Sequence, residues 1–453
     1  LVRNRNGTVS QDAALSLARV YLRQGQEEPL MALASEVDAG LLSGELKAKF
    51  LMLLAAAYVD RARNEMAIST YRRVAEVTGV GSTASDALWQ IGWLHYKEGR
   101  YADAVRLFDE SRLQRGLSGV QALYWKARSL EKMGQPQKAM QTFQSVCSEA
   151  PNSYYCQIGR TRIGGAEITG SESAGANLLT SMEAAEPQDH ALTTDTHYQR
   201  ATELRLIGWQ REAADELATL ISRVGQDRGG ALSLARLFTS TGEYHQALSL
   251  VRAHFADVIE RGGAAVGQGF WQMAYPGGYF PVIRALPVNQ GVDANLVTAV
   301  IREESAYNPG AVSIAGALGL MQVMPQTGQK IAAQLDPQAF DRERLFEPCY
   351  NIRFGSWYLR HLTEKFGNNL AHIIAAYNAG PDVVSKWVQQ AGNKEQDEFI
   401  ELIPYTETRN YVKKVLRSYG EYKRIYGPST SPVSLTASAD TVIVRCEGAR
   451  VVE

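Results

Sequence analysis

The sequence lacks the features of a membrane-spanning, disulfide-framed or nucleic-acid-binding protein. Its longest apolar run, residues 50–59, is too short to cross a bilayer. Four cysteines among 453 residues are too few for a disulfide scaffold, and no cysteine–histidine spacing indicates a metal site. The net charge of −1 gives no electrostatic attraction for nucleic acid. We therefore expect no membrane span, no metal or other cofactor, and no nucleic-acid partner.

Two of the cysteines leave a choice open. Cys147 and Cys156 flank a turn that contains Pro151 and Asn152 between two predicted helices. They can pair in an oxidising compartment, or they can be two unrelated buried thiols. Cys349 and the remaining cysteine, Cys446, have no evident partner.

The amino-terminal half repeats a two-helix pattern. At an offset of 35, Gly92, Gly99, Ala104 and Phe108 recur as Ala127, Gly134, Ala139 and Phe143, and at an offset of 34, Ala201, Gly208 and Ala213 recur as Ala235, Gly242 and Ala247. A helix, a glycine turn and a second helix with a small residue form the tetratricopeptide-like pattern. Stacked copies predict an α-solenoid over residues 1–262, for which we favour a scaffold role.

Changes in composition mark the other boundaries. Glycine-rich residues 262–269 end the repeats, and residues 263–291 are predicted to be a linker or docking segment. Its aromatic cluster is expected to be a packing seam: Trp271, Tyr275, Tyr279 and Phe280. Residues 292–427 form a second predicted domain, and residues 428–453 are expected to be an extended or weakly ordered tail. Residues 164–194 are predicted to be an irregular connection.

One carboxylate lies on the apolar face of a predicted helix. Apolar residues at helical spacing predict this helix over 293–305, with Asp293 as N-cap: Leu296, Val297, Val300 and Ile301. Glu304 falls inside the apolar stripe, whereas Glu303, about 100° away, is expected to reach solvent. Burial raises a carboxyl pKa, which suits a general acid near neutral pH. A solvated, half-exposed glutamate is the simpler alternative.

The motifs around this glutamate occur in a known order. The segment of about 292–426 resembles the catalytic domain of bacterial soluble lytic transglycosylases, which has a lysozyme-like fold. The resemblance is carried by Glu304-Ser305, Asn308-Pro309, Ser313, Gly319-Leu320-Met321-Gln322, Met324-Pro325, Asn351-Ile352, Ala376-Tyr377-Asn378-Ala379-Gly380 and Ile403-Pro404…Glu407-Thr408…Tyr411-Val412. It implies an all-α chain in which a tetratricopeptide-like α-solenoid or superhelix precedes a lysozyme-like α+β domain with little strand.

The resemblance also implies a set of site residues. Glu304 would be the catalytic residue, and the substrate-binding set would be Ser313, Met321, Gln322, Met324, Ala376, Tyr377, Asn378, Glu407 and Tyr411. Ser313 would bind substrate or orient the acid, and Tyr377, placed just after a predicted apolar helix over 372–376, would hold the Glu304 carboxyl. Glu407 and Tyr411 would line the cleft.

Several of these residues have plainer alternatives. Ser313 can be a turn residue, and Gln322 can be a surface amide, although its donor and acceptor atoms suit an N-acetyl group or sugar hydroxyl. Met321 and Met324 can be core residues. Glu407 can compensate the charge of a helix start, with Thr406 as N-cap.

The chain has no Asp or Glu between Ser305 and Leu335, where a second catalytic carboxylate would be expected. The resemblance therefore implies a single acid and base. Glu304 would protonate the β-1,4 glycosidic oxygen between N-acetylmuramic acid and N-acetylglucosamine in peptidoglycan. It would then take the C6 hydroxyl proton, giving 1,6-anhydromuramyl ends. The alternatives are a hydrolytic muramidase, in which water attacks, and a non-catalytic cell-wall scaffold.

Such a substrate places the protein in the bacterial periplasm. The sequence begins at Leu1 without a signal-peptide pattern, so we expect a processed start. Peptidoglycan glycan strands are the expected partner, and the solenoid is a predicted binding surface for cell-wall synthesis or remodelling proteins.

Overall fold

The computed structural model describes residues 11–113, 119–164, 191–262, 266–286, 291–335 and 340–427. Within these ranges the chain is helical and has no strand. Two isolated bridges, Val312 to Leu318 and Leu318 to Val323, are the sheet-like pairs recorded there. The prediction of a mainly helical fold with little strand is confirmed.

The first half is built from consecutive antiparallel helices. Up to residue 162 the described α-helices are α1 (Gln11–Arg23), α2 (Glu27–Glu36), α3 (Gly44–Asp60), α4 (Asn64–Thr78), α5 (Ser82–Lys97), α6 (Tyr101–Leu113), α7 (Gly119–Lys132), α8 (Pro136–Glu149) and α9 (Tyr154–Arg162). A π-helical turn, Val37–Leu41, follows α2. Neighbouring helices pack in sequence order from α3 to α8, as expected of stacked two-helix repeats.

Small residues set the spacing of these helix pairs. A Cβ added at Gly92 on α5 would lie 2.7 Å from the ring of Phe108 on α6, so only glycine allows this approach. The equivalent pair, Ala127 and Phe143, is also buried. Gly99, in the turn before α6, has a φ of +77°, which favours glycine. The repeating small and aromatic positions therefore mark where the two helices of a pair approach closely.

The second half has more varied helices. After a 3₁₀ turn at Ala191–Thr194, they are α10 (Thr196–Leu206), α11 (Gln210–Ala218), α12 (Arg228–Ser240), α13 (Tyr244–His254), α14 (Ala256–Arg261), α15 (Gln268–Ala274), α16 (Phe280–Ala285), α17 (Ala294–Ser305), α18 (Pro325–Leu335), α19 (Pro348–Phe366), α20 (Leu370–Ala379), α21 (Pro381–Ala391), α22 (Gln396–Leu402) and α23 (Thr406–Tyr426). Further 3₁₀ turns lie at Ile221–Arg223 and Glu343–Phe346.

The chain forms two compact units, which divide at a different place from the predicted domains. One unit comprises residues 1–151 and 155–170, and the other comprises residues 152–154 and 171–453. The later repeats therefore group with the segment that follows them. Phe255, after α13, packs edge-on against Phe270 of α15 with ring centroids 5.7 Å apart. The boundary at residue 262 stays a prediction based on the repeat pattern.

The aromatic segment before α17 is a packing seam, as predicted. Trp271, Tyr275, Tyr279 and Phe280 are all at most 5% exposed. Tyr275 meets Tyr422 of α23 at 5.6 Å between ring centroids, and Phe280 contacts the same helix. Their buried area stabilises α23 and, through it, the site described below.

The structure resolves the cysteine question. Cys147 and Cys156 form a disulfide that joins α8 to α9, and Cys349 is disulfide-bonded as well. The predicted tail, 428–453, and most of the predicted connection, 165–190, lie outside the described residues. None of the described helices combines the length and apolar character needed to cross a membrane.

Candidate active site

The helix that carries Glu304 begins and ends close to the predicted residues. The Asp293 carboxylate caps α17 by accepting a hydrogen bond from the Asn295 amide at 2.9 Å. The helix ends at Ser305 because Ala306 and Tyr307 adopt left-handed φ values of +48° and +66°. Such a φ is unusual for tyrosine. Burial of the Tyr307 ring and a 2.6 Å hydrogen bond to the Tyr422 hydroxyl hold this conformation.

Glu304 is largely buried and is held by a hydrogen bond from α23. Its Oε1 accepts a hydrogen bond from the Tyr411 hydroxyl of α23 at 2.6 Å. Burial raises the pKa of Glu304 to about 7; the Tyr411 hydrogen bond opposes this rise, and Glu303 and Glu407 add to it. The residue is still partly exposed, so a ligand can reach it. The pKa of Glu304 is therefore raised, as predicted, and burial is the main cause, as expected.

Glu303 differs from the prediction that it reaches solvent. Its side chain is only 11% exposed and pairs with Arg302 at 2.5 Å, and it accepts a hydrogen bond from the Ser418 hydroxyl at 2.6 Å. Burial raises the pKa of Glu303, but Arg302, Ser418 and Arg252 outweigh it and hold the pKa below its ordinary value. The helical period placed Glu303 at the edge of the apolar stripe, and packing of α23 over that edge buries it.

Tyr377 also departs from its expected role. Its hydroxyl donates to the Met321 carbonyl at 2.8 Å, and Tyr411 makes the contact with Glu304 that Tyr377 was predicted to make. Tyr377 still lies within electrostatic reach of Glu304, which contributes to its raised pKa after burial. Tyr377 and Asn378 belong to the last turn of α20, which extends three residues past the predicted end at 376.

A single buried asparagine fixes the loop that faces this cluster. Asn351 of α19 accepts from the Met321 amide at 2.7 Å and donates to the carbonyls of Leu318 and Leu345 at 2.8 and 2.7 Å. Its side chain is fully buried, so each contact replaces water. At Gly319, φ is +74° and an added Cβ would lie 2.2 Å from the Leu345 carbonyl oxygen. This position therefore requires glycine.

Gln322 and Ser313 both help to shape the loop. The Gln322 amide nitrogen donates to the Gly319 and Ala311 carbonyls at 2.8 and 3.2 Å, and the residue has a φ of +49°. Its side-chain oxygen accepts no hydrogen bond from the residues described, so it remains available to a ligand donor. The Ser313 hydroxyl oxygen accepts from the Ala317 amide at 2.9 Å, which is the turn role. Its own proton is still available to a substrate.

The other predicted contact residues differ in accessibility. The side chains of Met321 and Ala376 are fully buried and offer no surface to a ligand in this structure, which differs from the prediction for both. Met324 is partly exposed, and Asn378 and Glu407 are exposed. Glu407 lies in the first turn of α23, but Tyr405, not Thr406, is the N-cap, and no side chain caps this helix.

Two contributors were missing or undervalued in the sequence interpretation. Asn351 was part of the resemblance but had no assigned role, and Tyr411 was placed only at the cleft wall. Glu407 and Tyr411 are four residues apart, so helical spacing puts both on one face of α23. The fold turns that face toward Glu304, which the sequence alone does not reveal. The Thr408 hydroxyl donates to Asn378 at 2.6 Å and ties this face to the end of α20.

The arrangement suits proton transfer near neutral pH. A carboxyl with a pKa of about 7 is protonated in a large fraction of molecules and can also act as a base once it has lost the proton. The loop beside it offers an amide oxygen and a hydroxyl, groups that recognise acetamido and hydroxyl substituents. In the described part of the chain, no group of three or more His, Cys, Asp or Glu side chains is arranged to hold a metal ion.

Comparison with known families finds matches for two parts of the chain. Residues 281–400 match the transglycosylase SLT domain, and residues 52–116 and 121–153 match tetratricopeptide repeats. One part of the chain is thus similar to tetratricopeptide repeats and a later part to the SLT domain. The resemblance to soluble lytic transglycosylases seen in the sequence motifs is confirmed.

Particular relatives match different lengths of the chain. The chain is 28% identical over 316 residues to the soluble lytic murein transglycosylase of Salmonella typhimurium, a match that covers 69% of this chain and 45% of that protein. It is 38% identical over 165 residues to a putative soluble lytic murein transglycosylase of Haemophilus influenzae, covering 36% and 28% of the two chains. The chain thus spans less than half the length of these curated relatives.

Solved structures agree on the fold. A 70 kDa soluble lytic transglycosylase in complex with bulgecin A matches with a TM-score of 0.67 and 22% identity, covering 95% of this chain and 64% of that one. The enzyme of that size from Escherichia coli matches with a TM-score of 0.56 and 21% identity, covering 94% and 74%. At this identity the likeness establishes the fold, namely a helical superhelix with a lysozyme-like domain.

Proposed function

We propose that this protein is a peptidoglycan lytic transglycosylase that acts in the bacterial periplasm, with Glu304 as its single acid and base. It would cleave the β-1,4 bond between N-acetylmuramic acid and N-acetylglucosamine and leave 1,6-anhydromuramyl ends. The observation that carries the proposal is the Glu304 carboxyl, whose pKa burial raises to about 7 and whose orientation Tyr411 fixes. The SLT domain match and the names of the relatives support the substrate class.

The proposed reaction uses the same proton carrier twice. Glu304 gives its proton to the glycosidic oxygen as the bond to C1 breaks, and the substrate's acetamido oxygen stabilises the cationic centre. The Glu304 carboxylate then removes the proton from the C6 hydroxyl, whose oxygen bonds to C1 and closes the anhydro ring. Glu304 ends protonated again, and no water is consumed. A pKa near 7 suits both steps, since neither protonation state is strongly favoured at neutral pH.

Hydrolysis by water is the second candidate, and one observation favours it. Glu407 is an exposed carboxylate close enough to Glu304 to raise the pKa of Glu304. The fold therefore supplies a second acidic group, although the segment between Ser305 and Leu335 contains none. In a two-carboxylate muramidase this group would activate water. The single-residue proposal instead assigns Glu407 to the cleft wall.

Two matched variants test the assignment. We expect Glu304→Gln to remove the solubilisation of peptidoglycan sacculi while circular dichroism stays unchanged, because the amide cannot donate and recover the proton. Glu407→Gln makes the same substitution at the neighbouring carboxylate, and its activity should stay within about tenfold of that of the unaltered protein. A loss of about 100-fold or more in Glu407→Gln would favour the hydrolytic candidate. Full activity in Glu304→Gln would refute the role of Glu304.

The proposal also includes contacts between the glycan and the accessible residues of the predicted set, which are Ser313, Gln322, Met324, Asn378 and Glu407. Recruitment of cell-wall synthesis or remodelling proteins by the repeats also remains a prediction. A pull-down with the isolated wall enzymes would test that recruitment.

A further inference from the structure

A cavity that Glu304 does not line lies in the same compact unit as this residue. It has a volume of about 350 Å³ and is formed by α13 and α14 on one side and by α17 and α23 on the other. Its charged lining residues are Arg252, Glu260, Arg302, Glu303, Lys414 and Arg417. Four cations and two anions give this lining a net charge of +2, in a chain whose net charge is −1.

One of these cations is already satisfied inside the protein. Arg302 donates to Glu303, to the Ser418 hydroxyl and to the Ala274 carbonyl, and its guanidinium lies over the Tyr275 ring with its carbon 4.2 Å from the ring centroid. Burial lowers the pKa of Arg302, but Tyr275, Glu303 and Tyr422 outweigh it and hold the pKa above its ordinary value. The excess positive charge therefore belongs to the rest of the lining.

The remaining charged residues of the lining are Glu260 and the cations Arg252, Lys414 and Arg417. Arg417 donates to the Ile259 carbonyl, so the cations that face the cavity are Arg252 and Lys414. Neither forms a hydrogen bond or an ion pair with any residue of the described ranges. Arg252 is partly buried, and burial together with the charge of Arg302 lowers its pKa, whereas Glu303 raises it. The N–H donors of Arg252 reach the cavity, and no residue of the described ranges accepts a hydrogen bond from them. Such a partly buried guanidinium is favourable only if water or a ligand accepts these hydrogen bonds.

We propose that this cavity binds a small oxyanion, a carboxylate or a phosphate group, through Arg252 and Lys414. Arginine matches either group with two parallel N–H donors, and lysine adds a point charge on the solvent side. The volume lies at the lower end of the range for small-molecule sites. Glu303 and Glu304 project about 100° apart from α17, so Glu303 lines this cavity while Glu304 faces the other site.

Calorimetric titration of the full chain with inorganic phosphate and, separately, with succinate tests the proposal. Ionic strength is held constant with sodium chloride. We expect saturable 1:1 binding of at least one anion, and the anion that binds more tightly identifies the ligand group. Arg252→Gln and Lys414→Gln should each weaken binding by about tenfold or more. Lys386→Gln removes the same charge from an exposed site outside the cavity and should leave affinity unchanged.

Two results would overturn this assignment. One is the absence of saturable binding for both anions. The other is an affinity in Lys414→Gln equal to that of the unaltered protein. Because Lys414 is exposed, its replacement removes no core packing, so this variant is informative even if Arg252→Gln fails to fold. Neither result depends on wall-degrading activity, so the proposed function is tested separately.

Discussion

Replacing Glu304 by glutamine should stabilise the protein, and the gain should grow with pH. The pKa of Glu304 is raised from its ordinary value of 4.5 to about 7, so the folded protein holds this proton more tightly than the unfolded chain. Below pH 4.5 the carboxyl is protonated in both the folded and the unfolded protein, so its titration does not change the free energy of unfolding. Between pH 4.5 and 7 the folded state increasingly loses relative stability. Above pH 7 the loss is complete.

The magnitude follows from the pKa difference. About 2.5 pKa units correspond to about 3 kcal/mol in the free energy of unfolding. Glutamine stays neutral, and its amide oxygen can still accept the Tyr411 hydrogen bond, so Glu304→Gln avoids this cost. The unit that contains Glu304, residues 152–154 and 171–453, is large enough that each kcal/mol shifts its unfolding midpoint by roughly 2 °C, which gives a pH-dependent gain of about 5 °C.

Differential scanning calorimetry at pH 5 and pH 8 measures this gain, with the variant and unaltered protein compared at each pH. Glu303→Gln is the matched control, because the pKa of Glu303 is held below its ordinary value and its charge pairs with buried Arg302. That variant should be destabilised by about 3–5 kcal/mol at neutral pH. The unfolding temperatures of Glu304→Gln and the unaltered protein could instead differ by the same amount at pH 5 and at pH 8. That result would refute the burial of a neutral Glu304.

Three further substitutions probe the site and the repeats. Tyr411→Phe removes the hydrogen bond that opposes the rise in the Glu304 pKa, so the alkaline limb of the activity–pH profile should move upward and activity should fall by about tenfold. Asn351→Ala removes the hydrogen-bond partner of the Met321 amide and of the Leu345 carbonyl, whereas the Leu318 carbonyl keeps its bond from the Val323 amide. The variant should lose about 2 kcal/mol or more of unfolding free energy in chemical denaturation, with loss of activity. Gly92→Ala places a Cβ 2.7 Å from the Phe108 ring and should destabilise the repeats by about 1–3 kcal/mol, as measured by thermal unfolding.

For each substitution, one result would contradict the role assigned to the replaced residue. An unchanged alkaline limb in Tyr411→Phe would mean that the hydroxyl does not act on Glu304. Unfolding of Asn351→Ala at the same denaturant concentration as the unaltered protein would remove Asn351 from its structural role. Gly119→Ala, where an added Cβ meets nothing within 4 Å, is the control for Gly92→Ala and should be neutral or slightly stabilising. Equal stabilities of these two variants would contradict the close helix approach.

Local patterns predicted those features that depend on residues near each other in sequence. The period of Leu296 to Ile301 placed α17 and Glu304 correctly, and the offset of 35 residues identified the repeated helix pairs that carry Gly92 and Phe108. Both rest on helical periodicity, which is a local property. The Asp293 cap is local for the same reason.

Features that depend on distant packing were misjudged. Glu303 looked exposed from its place on the helix, but Ser418 of α23 comes 115 residues later and covers it. Tyr377 was preferred to Tyr411 as the partner of Glu304, because the sequence does not reveal that the Tyr377 hydroxyl is used by the Met321 carbonyl. Hydrogen-bond partners across such separations follow from tertiary packing and are absent from local periodicity.

The most direct test of the proposed chemistry is the mass of the sugar ends released from intact peptidoglycan sacculi. If Glu304 delivers and recovers one proton without a water molecule, mass spectrometry should find muramyl ends that are one water lighter than reducing ends. Digestion in water enriched in ¹⁸O should leave these ends unlabelled. Muramyl ends of full mass that carry the heavy oxygen would contradict the transglycosylase proposal and identify the enzyme as a muramidase.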